Sequence, residues 1–149
     1  MPDAAPARTL ISGGVVLPME GRKTVFSHGA VLVVGTDIVA VGDDAEVRAH
    51  PLAEGAEAVD ATGRAVIPGL TNGHMHSGLM RGVAESMALW DWLDNYYNQG
   101  MKVVTPELAE IACLLAYTEN LRFGNTSVMD MYRYLEGGAE VADQLGIRA

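Results

Sequence analysis

Pro68-Gly69-Leu70-Thr71-Asn72-Gly73-His74-Met75-His76 is the stretch that decides how this chain is read. A Pro-Gly corner opens onto a short run with the character of a strand, and two histidines stand one residue apart at its far end. Side chains along a strand alternate between its faces with a period of two, so His74 and His76 leave the same face close together. Two neutral imidazoles on one face are a grip for a divalent metal ion, zinc above all. A bare His-x-His is equally a chance pair of surface histidines, and the residues around it have to choose between the two.

Upstream of the corner, from Arg8 to about Ile67, the chain reads as short strands cut by turns. Thr9–Ile11 leads into Ser12-Gly13-Gly14 and then Val15–Leu17. Ala30–Val34 and Ile38–Val41 flank Gly35-Thr36-Asp37, which is a hairpin signal. Asp44–His50 has the composition of a short helical turn. Glu57–Asp60 and Arg64–Ile67 flank the turn Ala61-Thr62-Gly63. The region is expected to be a small antiparallel β unit. Gly13, Gly14, Gly35 and Gly42 have the spacing of turns and form no phosphate-binding loop.

Downstream the style changes. Leu70–His74 is a strand candidate, and Ala88–Tyr97 carries the aromatic and apolar residues of a helix on a rim. The clearest helix follows: Thr105 suits an N-cap, Pro106 the first helical position and Glu107 the positive end of the dipole. Leu108, Ile111, Ala112 and Leu115 recur at helical spacing, extended by Leu114, Thr118 and Leu121. Gly124 with Asn125 is a stop signal. Thr126–Met131 reads as a second strand and Gly138–Leu145 as a second helix ending at Gly146, with the next strand due at Ile147-Arg148-Ala149. Strand, helix, strand, helix is the pattern of βαβ units in a parallel sheet. Two such strands leave an open edge, so the chain reads as cut short, with a small self-contained α+β domain as the alternative.

The chain has 149 residues, 49% of them hydrophobic, enough for a packed core. Charged residues make up 19% and the formal net charge is -9, a balance that repels phosphates and argues against nucleic acid or an anionic membrane as partner. Small neutral or cationic substrates remain. The lone cysteine, Cys113, cannot form an internal disulfide and sits in a helical pattern as a small core residue. Neither a signal peptide nor an apolar run of membrane-spanning length is visible, so a cytoplasmic location is the expectation.

Three stretches resemble the amidohydrolase superfamily, and within it the deaminases and chlorohydrolases of purine-, pterin- and triazine-like rings, the group of the 5′-methylthioadenosine/S-adenosylhomocysteine deaminases. Ala65 to His76 looks like the metal-binding first barrel strand and its approach. Met80-Arg81-Gly82 followed by Leu89-Trp90-Asp91-Trp92-Leu93 looks like the loop and helix after it. Gly124 to Tyr132 looks like the second strand. The resemblance implies an α/β fold: an N-terminal β-sandwich piece over residues 1–67, then the first two strand–helix units of a (β/α)8 TIM-like barrel over 68–149. A full barrel needs on the order of 250 residues, so the barrel here is incomplete.

The resemblance also implies roles. His74 and His76 become ligands of one divalent metal ion, zinc first and Fe2+ second. Pro68 and Gly69 turn the chain from sandwich to barrel, and Asn72 supports the ligands or a turn. Trp92 resembles a tryptophan that lines the substrate pocket, with plain helix packing as its alternative. Trp90 stands where nucleoside deaminases carry an acidic residue for ribose hydroxyls; an indole cannot accept those hydrogen bonds, which leans toward a free ring. Asp130 and Tyr132 are expected to hydrogen-bond within the barrel, and Met80, Met87, Met129 and Met131 to fill its core. His28 and His50 match no ligand position and read as exposed loop histidines. No acid or base of catalysis lies in this chain. The complete protein would deaminate or otherwise hydrolyse a C–N or C–Cl bond on a small heterocyclic substrate, with a homo-oligomer allowed; the 149 residues alone read as an inactive fragment. Cyclic-amide hydrolysis in another branch of the superfamily and a non-enzymatic barrel fragment are the rival readings.

Overall fold

The structure, a computed structural model, describes residues 5–21, 23–78, 82–131 and 134–149. Met80, Arg81 and Tyr132 therefore lie outside the described residues. The chain divides into two compact units, Met1–Pro68 and Gly69–Ala149.

The first unit is built on β1 (Arg8–Val16), which pairs antiparallel with β2 (Phe26–Val34); β2 in turn pairs antiparallel with β3 (Asp37–Asp43). The β2–β3 connection is the hairpin foreseen at Gly35. Two further strands, β4 (Glu57–Asp60) and β5 (Ala65–Val66), lie parallel to β1. The sheet is therefore mixed, with the order β3-β2-β1-β4, and not the antiparallel unit that the turns had implied. Turn spacing reports where strands end but not their direction. Here α1 (Asp44–Arg48) and a 3-10 turn at Pro51–Ala53 carry the chain between β3 and β4, and parallel strands require such a crossover.

Sequence also broke β1 at Ser12-Gly13-Gly14, whereas the strand runs through. Gly13 takes φ +84 and the register skips on both sides of Gly14, so the glycines make a bulge inside a strand. Gly42 lies within β3, and of the four glycines read as turns Gly35 alone is one. The Gly13 N–H donates to Asp44 Oδ1 at 3.1 Å, and Arg48 reaches both Asp44 Oδ2 at 2.5 Å and Ser12 Oγ at 2.7 Å, which fastens α1 to the bulge. Leu10, Ala30, Leu32 and Val47 form the core beneath it.

The second unit pairs β6 (Leu70–Met75) with β7 (Asn125–Asp130) in parallel. Between them run α2 (Leu89–Trp92), a π-helical turn at Leu93–Tyr97, α3 (Asn98–Val103) and α4 (Pro106–Arg122). The Thr105 hydroxyl accepts from the Leu108 N–H at 3.3 Å, so the N-cap is where the sequence put it. After β7 comes α5 (Leu135–Leu145), ending before Gly146. Arg148 then bridges to Ser127 in parallel, with Val128 N donating to Arg148 O at 2.8 Å. The strand–helix–strand–helix reading holds, and a third parallel segment starts at Ile147–Ala149 as foreseen.

Of the α4 stripe, Ala112 is buried and Leu121 packs against the core, but the larger residues ahead of Leu121 do not. Leu108, Ile111, Leu114 and Leu115 are 38–54% exposed, while Ala109, Ala112, Cys113, Ala116 and Tyr117 are buried. The helix is apolar most of the way round, so spacing alone could not choose a face; small side chains let α5 approach closely, and they win. At Gly138 of α5 a Cβ would lie 3.0 Å from Cys113 Sγ. Cys113 is fully buried, a core residue as its helical position predicts. Met129 (68%) and Met131 (58%) are exposed, because the alternation of β7 buries Val128 instead; Met87 is 48% exposed. Among the described methionines Met101 is buried, and Met75 packs partly buried against the core of α4 and α5. Among the described residues no helix is long and apolar enough to cross a membrane.

Leu32 is fully buried in the first unit. Leu32→Ala leaves a cavity there and is expected to cost about 2–5 kcal/mol, read as a lower urea midpoint at unchanged slope.

Candidate metal centre

The site begins at Gly69. A Cβ on this residue would run into the Thr126 side chain, so a glycine lets the start of β6 lie against β7. Leu70 N donates to Gly124 O at 2.9 Å, and Thr71 Oγ1 meets Ser127 Oγ at 2.8 Å across the ladder. The last registered pair is Met75 with Asp130.

His74 lies on β6 and His76 one residue beyond it; both are exposed. Their ring centroids are 4.8 Å apart and the planes stand at 86°. The structure thus brings the two imidazoles together. His76 Nδ1 lies 2.7 Å from Met131 O. A carbonyl can only accept, so Nδ1 is the donor, and in the neutral ring the lone pair is then on Nε2. This is the tautomer that a metal-binding imidazole needs, fixed by the kind of partner that usually fixes it. The His74 N–H donates to Asn72 Oδ1 at 3.3 Å, and Asn72 Nδ2 donates to Asn120 Oδ1 at 3.0 Å, so Asn72 ties the strand to α4 from within β6 and is not in a turn.

Beneath His76 lies a set of polar side chains that sequence reasoning had only touched at Asp130. Asp130 Oδ1 accepts from the Ser77 N–H at 3.0 Å, and its Oδ2 accepts from the Tyr117 hydroxyl at 3.0 Å. Cys113 Sγ donates to Ser77 Oγ at 3.3 Å. Ser77 is fully buried and Tyr117 2% exposed. Burial first, then the Asp130 charge, push the Tyr117 phenol well above its ordinary range. Asp130 hydrogen-bonds within the unit, as foreseen. Ser77 and Tyr117 carried no sequence signal, since neither stands in a motif.

A cavity of about 630 Å³ opens beside His76, with Met87, Trp92, Tyr96, Tyr97 and Leu108 among its walls. The π turn shapes it. One extra residue per turn brings Tyr97 under Trp92, where the rings stack at 5.3 Å and 28°, while Tyr96 lies tilted at 5.6 Å. Burial, then Glu85, hold the Tyr96 phenol above its ordinary value. Trp92 is thus half-buried on a cavity wall with His76. Trp90 is 75% exposed and not among the described wall residues, so its departure from an acidic residue says nothing about what this cavity accepts. His28 lies within strand β2 and not in a loop, and His50 uses Nδ1 to accept the Leu52 N–H at 3.2 Å.

Two neutral nitrogen donors suit zinc or another borderline cation. Among the described residues no group of three or more His, Cys, Asp or Glu is arranged to hold a metal, so the pair fits as part of a coordination shell.

The family described as the amidohydrolase family matches residues 65–149. The chain is 38% identical over 143 residues to a 5-methylthioadenosine/S-adenosylhomocysteine deaminase of Syntrophus aciditrophicus, covering 94% of this chain and 32% of that relative. It is similar to the crystal structure of an adenosine deaminase of Xanthomonas campestris with bound zinc, with TM-score 0.78 and 33% identity over 99% of this chain and 34% of that one. It is also similar to an atrazine chlorohydrolase of Arthrobacter aurescens complexed with zinc, with TM-score 0.79 and 25% identity over 94% of this chain and 34% of that one. The chain spans about a third of the length of these relatives.

The raised Tyr117 value has a consequence for stability. The folded state holds the phenolic proton more tightly than the unfolded chain, so the folding advantage is complete below the ordinary tyrosine value of 10.0 and shrinks as pH rises past it. The melting-temperature gap between wild type and Tyr117→Phe is expected to narrow above about pH 10, because phenylalanine has no proton to lose. A gap constant to pH 11 would contradict the assignment.

Proposed function

The chain belongs to the amidohydrolase family, and on that premise we propose that the complete protein is a metal-dependent hydrolase. It replaces an amino group, or a similar leaving group, on a heteroaromatic ring by oxygen from water. In this reading residues 1–67 are the sandwich-like piece, 68–149 open a (β/α)8 barrel, and His74 and His76 are ligands at the C-terminal ends of its strands, where such barrels carry their chemistry.

When bound, a divalent cation, zinc before Fe2+, lowers the pKa of water to roughly 7 and so makes a nucleophile available near neutral pH. The chain's own residues do the rest of what is proposed here. Met131 O keeps His76 in the tautomer whose Nε2 can donate a lone pair. The stacked Trp92 and Tyr97 offer a flat apolar wall against which a planar ring can lie. Met87 and Leu108 add apolar surface to the cavity wall. The observation that carries the reading is the His74–His76 pair, tautomer-fixed at His76, with His76 on the wall of an aromatic cavity. The same aromatic wall favours a heteroaromatic substrate over a cyclic amide.

The relatives are named for deamination of 5-methylthioadenosine, S-adenosylhomocysteine and adenosine, so these are the substrates to try. The full-length protein is expected to hold zinc by elemental analysis, and His74→Ala and His76→Ala to lose the metal and the turnover together. Metal content unchanged in both variants would overturn the ligand assignment. Trp92→Ala removes about 0.5–1.5 kcal/mol of stacking and is expected to raise KM by about two- to tenfold with kcat little changed.

A further inference from the structure

We propose that Asp130 is a positioning residue for His76, acting through the Ser77 N–H; the proposal rests on the ligand role given to His76 above. His76 lies past the end of β6, and the last registered pair of the ladder is Met75 with Asp130. Regular strand pairing therefore does not hold the histidine in place. Contacts from the end of β7 do so instead, one for each of three consecutive residues. Met131 N donates to Met75 O at 3.0 Å, the His76 ring donates to Met131 O at 2.7 Å, and Ser77 N donates to Asp130 Oδ1 at 3.0 Å.

The third contact is the one made by a charged group, and a hydrogen bond to a carboxylate is about twice as strong as a neutral one. It is also the one that is braced. Tyr117 donates to Asp130 Oδ2 at 3.0 Å from a position 2% exposed, so the carboxylate has little freedom to rotate. On the other side, Ser77 is fully buried and its hydroxyl accepts from Cys113 of α4 at 3.3 Å. Asp130, half-buried and with a donor on each oxygen, is fitted to clamp the backbone at residue 77 and not to bind the ion. With Asp130 removed, the peptide that follows His76 loses its anchor, and the ring can drift from Met131 O.

The test measures zinc affinity of the full-length protein by chelator competition, the visible spectrum of the Co2+-loaded protein, and thermal unfolding of the metal-free protein. Asp130→Ala is expected to weaken zinc binding by about 10- to 100-fold and to change the Co2+ spectrum. Asp130→Asn keeps an acceptor oxygen for the Ser77 N–H without the charge and is expected to recover part of the loss, whereas a loss as large as that of Asp130→Ala would contradict a role through this hydrogen bond. Leu32→Ala, in the other unit, lowers the melting temperature and leaves affinity unchanged, which separates positioning from general stability. Should Asp130→Ala fail to fold, Tyr117→Phe decides: a several-fold loss of affinity with an altered spectrum supports the clamp, and wild-type values overturn it. Wild-type affinity in Asp130→Ala while His76→Ala has lost the metal overturns the clamp and leaves the ligands standing. Normal zinc binding by both His74→Ala and His76→Ala overturns the ligand reading and the clamp with it.

Discussion

The second unit depends on the parallel pairing of β6 with β7. Parallel neighbours cannot be joined by a tight turn, so the connection from Met75 to Asn125 is a crossover, and both strands end on the same side. That shared end is where His74 and His76 stand, and where Asp130 and Met131 reach across to the residues around them. Were the pairing antiparallel, the end of β7 would be at the far side of the sheet and none of these contacts could form. Gly69 permits the pairing by clearing the Thr126 side chain, and the Thr71–Ser127 contact helps set its register.

Packing below the ladder follows from side-chain size. α4 turns Ala109, Ala112, Cys113 and Ala116 inward, which brings α5 close enough that Gly138 nearly touches Cys113 Sγ. The same helix packs on β7 at Val128, with Tyr117 within hydrogen-bond reach of Asp130. A bulkier face would have separated the helix from the strand and left Asp130 Oδ2 without its donor. The π turn at Leu93–Tyr97 has a comparable role on the other side: it puts a second aromatic ring under Trp92 and so gives the cavity its flat wall.

Much of this architecture is legible in the sequence. The His-x-His spacing placed two rings side by side, Thr105-Pro106 marked the start of α4, and Gly124 and Gly146 marked helix ends, because caps and period-two alternation are local effects. What escaped was non-local. Turn positions do not reveal that β4 runs parallel to β1, and a helix apolar on most sides does not reveal that its alanines face inward while Leu108, Leu114 and Leu115 stay exposed. Ser77 and Tyr117 are ordinary residues until the fold sets them beside Asp130. The π turn has no sequence signature, and exposure of Trp90 removed an argument about substrate that rested on residue type alone.

The central claim is that the imidazoles of His74 and His76 share one ion. A crystal of the full-length protein grown with zinc and measured on both sides of the zinc absorption edge tests it most directly. The account predicts an anomalous peak about 2.0–2.1 Å from one nitrogen of each ring, with His76 Nδ1 still on Met131 O. An anomalous peak bound elsewhere, or rings turned apart with the Met131 contact broken, would contradict it.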